Sequence, residues 1–217
     1  TVLATVDGDP VRRVQDARGL PLFVYAEDVD SPMTLRITAG GIRYLEQTGS
    51  AKLVGDISGL SGYPQEWLAV TPGNNAGTDR IAAVTSADGA DGFTWSAVSN
   101  VLRGLVRVAS NEGGVSDRCD VAAAQGSGSP GSTRHVAWVA FAKPNLRDAA
   151  TAVADGTPSV TSRTPAQALS RLWILAHPTA SGTSHALYAI AFYGFTLGSS
   201  QRSQNLAACQ TRFAEVL

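Results

Sequence analysis

The sequence predicts an all-β protein: a sandwich of two antiparallel sheets closed by one short C-terminal helix. Short apolar or alternating stretches recur along the chain, and clusters of Gly, Asn, Asp and Pro separate them. Many short strands at near-regular spacing, joined by such turns, are typical of a β-sandwich. The 22 glycines and 10 prolines are spread along the chain rather than gathered in one linker, so a single domain over residues 1–217 is expected.

Each predicted strand is a run of apolar or alternating residues between turn residues. In chain order these strands are Leu22–Ala26, Met33–Thr38, Ile42–Leu45, Trp67–Thr71, Arg80–Thr85, Gly92–Val98, Leu102–Ala109, His135–Ala142, Thr151–Ala154, Arg171–His177 and Ala186–Tyr193. Hairpin-turn compositions lie between them at residues 72–75, 87–89, 111–114 and 155–157. The C-terminal stretch changes period, and Ser199 or Ser200 is positioned to cap a helix there. One face of that helix would carry Leu206, Cys209, Phe213 and Val216.

Charge and cysteine usage exclude several classes of function. Charged residues make up 16% of the chain and the net charge is -1, whereas soluble domains average about 25% charged residues. This balance predicts no nucleic-acid partner. No apolar run approaches the roughly 18 residues that span a bilayer, so membrane insertion is not expected. Cys119 and Cys209 have no metal or redox spacing, and a disulfide between them and two buried thiols both remain open.

Motifs for catalysis and cofactor binding are missing or out of context. Gly126–Gly131 has the letters of a dinucleotide fingerprint, but a strand-like run follows it where a helix is required. There is no phosphate loop, no His-Glu-x-x-His and no Gly-x-Ser-x-Gly. Glu27, Asp28 and Asp30 precede Ser31-Pro32 and are predicted to form a solvated turn, with a catalytic or cation site as the alternative. The prediction is therefore no enzyme, no metal and no cofactor.

A carbohydrate site needs a flat aromatic face beside short polar side chains. Trp138 and Trp173 lie within apolar strands and are predicted to be in the core. Other aromatic and polar residues lie in or beside turns, where they would either contact a sugar or only be solvated. These candidate ligand-binding residues are Trp95, Tyr63, Asn74, Asn75, Asp79 and Arg80.

A series of weak motifs then occurs in a recognisable order. They are Asp7–Val11 (DGDPV), Gly41–Glu46 (GIRYLE), Arg134–Val139 (RHVAWV), Ala152–Thr157 (AVADGT), Leu172–Leu175 (LWIL) and Tyr188–Tyr193 (YAIAFY). Their order resembles that of the concanavalin A-like lectin and glucanase jelly rolls of the laminin-G-like kind. The resemblance implies a jelly-roll β-sandwich. Hydrolases of that family carry a strand of paired acids such as Glu-x-Asp-x-Glu, and this chain has none, so the resemblance implies a binding scaffold rather than a reaction.

The opening motif and the closing helix are also similar to modules of phage and prophage virion proteins. This resemblance implies a non-catalytic carbohydrate-recognition or host-adsorption module in a head spike, fibre or tail component, exposed on the virion or otherwise extracellular. Its partners would be a cell-surface polysaccharide, other virion proteins and further copies of itself in a homo-oligomer. Two alternatives remain open. One is a structural minor capsid, tail or decoration protein that binds no glycan. The other is a polysaccharide hydrolase, which needs two carboxyl groups about 5–10 Å apart.

Overall fold

In the part of the chain that the structure describes, short β-strands are followed by a C-terminal helix. The computed structural model describes residues 4–17, 22–47, 49–59, 66–72, 78–89, 92–98, 101–107, 117–121, 134–140, 151–152, 168–177, 180–181, 185–193, 195 and 197–215. The strands are β1 Pro10–Val11, β2 Arg13–Gln15, β3 Phe23–Ala26, β4 Met33–Ile37, β5 Arg43–Gln47, β6 Leu53–Asp56, β7 Glu66–Pro72, β8 Thr78–Ser86, β9 Gly92–Val98, β10 Val101–Arg107, β11 Asp117–Val121, β12 Arg134–Ala140, β13 Thr151–Ala152, β14 Leu169–Ile174, β15 Ala176–His177, β16 Ala180–Ser181, β17 His185–Leu187 and β18 Ala189–Tyr193; the helix is α1 Ser199–Arg212.

These strands form two main antiparallel layers. The large sheet has the order β11-β10-β9-β8-β14-β6-β3-β2. The facing sheet is made of two four-stranded parts, β1-β4-β5-β17 and β13-β12-β7-β18. The two parts meet at Tyr188, between β17 and β18, whose backbone N–H donates to the Val70 carbonyl oxygen at 2.9 Å. This arrangement confirms the predicted all-β sandwich with a short C-terminal helix.

The hydrophobic core lies between the layers because strand residues alternate in direction. On β7, Ala69 belongs to the cluster between the sheets, together with Leu53, Ile81 and Leu172 of the large sheet. The residues on either side of Ala69 belong to other clusters, in which Cys209 of α1 packs against the outer side of the facing sheet. β7 is therefore covered on both faces, on one by the large sheet and on the other by α1.

The N-cap of helix α1 lies one residue before the first expected capping serine. Gly198 is the N-cap, and its backbone N–H donates to the Gln201 side chain at 3.0 Å. The prediction that Ser199 or Ser200 caps the helix is wrong, because the extended backbone of Gly198 already ends the preceding segment. The predicted helix face is confirmed at Cys209, a half-buried free thiol, and at Phe213, which is buried just after the helix ends. Leu206 is in α1 without a described side chain, and Val216 lies outside the described residues.

The predicted strand Arg171–His177 is interrupted in the structure. It divides into β14 and β15 at Leu175, which is fully buried and has a φ of 54°. Such a conformation costs a non-glycine residue on the order of 1–3 kcal/mol. In this conformation the Leu175 N–H donates a hydrogen bond to the Ile81 carbonyl oxygen at 2.9 Å. The break separates β15, which pairs with β16, from the large sheet.

Candidate functional site

An exposed aromatic surface lies on the outer face of the large sheet, beside its β2 edge. Val24 is buried between the sheets, so its neighbours Phe23 and Tyr25 on β3 lie on the outer face. On β2, Arg13 lies opposite Tyr25 and Gln15 lies opposite Phe23. Tyr25 is 48% exposed, so about half of this large side chain is accessible on the outer face. Arg13, Phe23 and Tyr25 are called the aromatic platform below.

The three platform side chains stack on one another. The guanidinium carbon of Arg13 lies 3.8 Å from the centroid of the Phe23 ring and 5.6 Å from that of Tyr25. The two rings are 6.2 Å apart and tilted by 45°. Such cation–π contacts contribute about 0.5–1 kcal/mol at exposed sites. These contacts therefore favour one position of the guanidinium although the residue itself is exposed.

Two ion pairs lie near the platform, one on the strands β6 and β14 and one at the ends of β3 and β6. Arg171 of β14 approaches Asp56 of β6 at 3.7 Å, and Lys52 approaches Glu27 at 3.3 Å. Asp56 also accepts the Ser58 hydroxyl at 2.6 Å and its backbone N–H at 2.8 Å. These two hydrogen bonds, with a smaller contribution from Arg171, lower the pKa of Asp56 below its ordinary value. The carboxylate is thus a fixed acceptor beside the platform.

Trp173 of β14 lies on the same outer face of the large sheet, two strands away from β3. It lies opposite Val54 on β6 and Ala83 on β8 and packs against both. Its indole N–H donates to the Thr85 hydroxyl at 3.0 Å, and the residue is only 7% exposed. The predicted burial of Trp173 is confirmed, although it belongs to an outer cluster and not to the main core. Trp138 is on β12, and its side chain is not described.

Some sequence-predicted ligand residues are brought onto neighbouring strands. Arg80 of β8 lies opposite Ser96 of β9, and after an irregularity in register Ala82 lies opposite Trp95. Asp79 precedes Arg80 on the same strand, so three of the candidates share one strand pair. Their side chains are not described. The remaining candidates, Tyr63, Asn74 and Asn75, lie outside the described residues.

The aromatic platform was not among the sequence candidates. β2 was not predicted, because Arg13–Gln15 contains only one apolar residue and its pairing with β3 is not visible in the sequence. A signal was nevertheless present in Phe23-Val24-Tyr25, where two aromatic residues flank a small apolar one with the period of a strand. Two aromatic side chains on one face would have marked that face as a candidate site.

The acidic segment Glu27–Asp30 is a solvated turn, as predicted. Asp28 is exposed, and its carboxylate accepts the Asp30 backbone N–H at 2.9 Å and the Ser31 hydroxyl at 3.0 Å.

Across the described part of the chain, no three His, Cys, Asp or Glu side chains form a group that could hold a metal ion. Within the same residues, no helix is both long and apolar enough to cross a membrane.

Comparison with known proteins identifies similar folds. No protein-family model and no curated protein matches the sequence. The chain is similar to the receptor-binding domain of botulinum neurotoxin D, with a TM-score of 0.57, 8% identity and coverage of 92% of this chain and 52% of that one. It is also similar to botulinum neurotoxin type C, whose cell entry depends on interaction with two ganglioside molecules, with a TM-score of 0.54, 12% identity and coverage of 93% and 51%.

A third similar structure is the serotype D ligand-binding domain in complex with N-acetylneuraminic acid. Its TM-score is 0.51 at 8% identity, with 92% of this chain and 50% of that chain covered. At such identities the similarity shows a shared fold and nothing further. The chain spans about half the length of these toxin domains.

Proposed function

We propose that this chain is a non-catalytic carbohydrate-recognition module whose sugar lies on the aromatic platform. The observation that carries the proposal is Tyr25, which is 48% exposed and lies beside Phe23 and Arg13 on the outer face of the large sheet. Sugars bind by packing their C–H surfaces on an aromatic face while short-range hydrogen bonds orient their hydroxyls. Gln15, opposite Phe23 on β2, and the Asp56–Arg171 pair on β6 and β14 are the polar side chains that would supply those donors and acceptors.

The toxin structures support a glycan as the ligand. Botulinum neurotoxin type C interacts with gangliosides, and the serotype D domain binds N-acetylneuraminic acid, so both proteins with this fold take sugar-bearing ligands. The chain matches about half of each toxin domain, so glycan binding by this chain itself is a proposal. The receptor-binding role of those domains also supports recognition without catalysis.

The β8–β9 strand pair is the second candidate position for the sugar. Trp95, Asp79 and Arg80 lie on it, and the sequence places Tyr63, Asn74 and Asn75 in turns that would complete a loop site. What supports this position is the register that puts Trp95 and Arg80 on adjacent strands. Replacing Trp95 with Ala therefore belongs in the same experiment as the platform variants.

The biological setting is proposed to be a phage-like virion, where the module would serve adsorption to a host surface as part of a head spike, fibre or tail component. The sequence resemblance to virion modules and the 16% content of charged residues support this setting. A single exposed sugar site binds weakly, so display as a homo-oligomer would raise the overall affinity through avidity. A cell-surface polysaccharide and other virion proteins would be its partners.

The direct test is binding of the multimerised protein to a glycan array and to whole bacterial cells. We expect specific glycan binding that Tyr25→Ala abolishes and Tyr25→Phe largely retains, because Phe keeps the ring face. Phe195→Ala is the matched control, since Phe195 is an aromatic residue 53% exposed that is not part of the platform. If Trp95→Ala abolishes binding and Tyr25→Ala does not, the site is the β8–β9 position. Absence of binding to any glycan or cell overturns the proposal and favours the structural virion protein.

A further inference from the structure

The charges on the outer face near the platform do not cancel. Arg171 is paired with Asp56 and Lys52 with Glu27, so these four side chains contribute no net charge. Among the residues that the structure describes, the Arg13 guanidinium lies over the two aromatic rings and takes part in no ion pair. Within this described part of the chain, the platform therefore has one positive charge that no acidic side chain pairs, at the place where a ligand would stack.

The geometry of Arg13 suits a carboxylate. A guanidinium presents a planar set of N–H donors that matches the two oxygens of a carboxylate, and such charge-assisted hydrogen bonds are about twice as strong as neutral ones. The stack on Phe23 at 3.8 Å favours this position of the guanidinium before any ligand arrives, which reduces the entropy lost on binding. A freely moving surface arginine would lack this advantage.

The distance between the two contact groups indicates the size of the ligand. The Arg13 guanidinium carbon and the Tyr25 ring centroid are 5.6 Å apart. A ligand that places a carboxylate on one and an apolar ring face on the other therefore spans a single monosaccharide unit. An extended acidic peptide has charge but no such ring face next to its carboxylate, so the pair of contacts favours a sugar.

We propose that the platform recognises an acidic monosaccharide unit, a sialic or uronic acid, with its carboxylate on Arg13 and its ring on Tyr25. This inference rests on the proposed carbohydrate recognition and specifies its ligand class and the residue that selects it. Arg13 acts here as a specificity residue: without it, the platform still offers an aromatic surface but no longer distinguishes acidic from neutral sugars.

The test compares matched acidic and neutral ligands by calorimetry or ligand-observed NMR. The pairs are sialyllactose with lactose, oligogalacturonate with its methyl ester, and each acid with its carboxyl-reduced form. We expect at least one acid to bind wild-type protein roughly 10-fold or more tightly than its neutral partner. Arg13→Gln should remove that difference, and Arg13→Lys should restore only part of it because it keeps the charge without the planar donors. Arg43→Gln, at an exposed arginine of the facing sheet, is the matched control and should change nothing.

The outcomes separate this inference from the proposed function. If acidic and neutral sugars bind equally, or Arg13→Gln retains the preference, the inference is overturned while carbohydrate recognition stands. If an acidic peptide binds in an Arg13-dependent manner and no sugar binds, or if nothing binds, both are overturned. Circular dichroism and the Tm of each variant verify that the sheet is intact, so a loss of binding is attributable to the side chain.

Discussion

Replacing Thr85 with Val tests whether the hydrogen bond to Trp173 stabilises the outer face of the large sheet. The Thr85 hydroxyl accepts the indole N–H at 3.0 Å, and the two residues are 1% and 7% exposed. Valine has nearly the same shape and no acceptor, so the indole donor is left buried and unsatisfied. That situation costs about 1–3 kcal/mol. For a chain of this length each kcal/mol lowers the Tm by about 2–4 °C, so a decrease of roughly 2–12 °C is expected.

The contribution of the hydrogen bond itself is obtained from a double-mutant cycle. Trp173→Phe removes the donor, so Thr85→Val should be less destabilising in that background than in the wild type. We expect a coupling free energy on the order of 1 kcal/mol, measured by urea unfolding with far-UV circular dichroism as the signal. The Thr85 hydroxyl also donates to the Ser86 carbonyl oxygen at 2.9 Å, and this bond is lost equally in both backgrounds. An equal cost of Thr85→Val in the two backgrounds would refute the reasoning.

Three further predictions concern other parts of the fold. Gly55→Ala places a Cβ 2.5 Å from the Phe23 carbonyl oxygen, so it should lower the free energy of unfolding in urea by about 1–3 kcal/mol and weaken glycan binding. Gly59→Ala is the control because there is open space around Gly59. Equal losses of stability in the two variants would contradict the prediction. Burial raises the pKa of the Cys209 thiol, so its reaction with a disulfide reagent at about pH 8 should be slower in folded than in urea-unfolded protein when the other cysteine is replaced. Two backbone N–H groups lower the pKa of Asp9 from its ordinary 3.8, so its stabilising effect is complete above that pH and is lost as the pH falls through the lower folded value. Asp9→Asn should therefore flatten the dependence of Tm on pH below about pH 4, and an unchanged profile would exclude this role.

Strands with a strong local pattern were predicted well. β9 was expected at Gly92–Val98 and is observed with those bounds. β7 was expected over Trp67–Thr71 and extends by one residue at each end. In such segments the alternation of side chains and the flanking turn residues are enough to indicate a strand. By contrast, β6 was missed although it lies within the large sheet, because Leu53–Asp56 is short and its pairing with β14 is not local.

The candidate site depended on pairing that the sequence does not reveal. Arg13 and Tyr25 meet because β2 and β3 pair in one particular register, and a shift by one residue would place Val14 opposite Tyr25. The residues predicted from the sequence to bind sugar lie in turns or beside them, whereas Tyr25 lies in the middle of a strand. The candidates on β8 and β9 remain a prediction that the Trp95 variant tests.

The sequence by itself determined the class of fold, because period-two alternation, turn residues and the change of period before α1 are local features of the amino-acid sequence. Only the tertiary structure decided which strands are neighbours, that α1 covers the outer side of the facing sheet, and that Leu175 adopts a left-handed conformation. It also decided that burial of Val24 turns Phe23 and Tyr25 outward beneath Arg13. The physical reason is that these features depend on contacts between residues far apart in the chain, which form only when two apolar sheet faces pack together and fix the register of every strand.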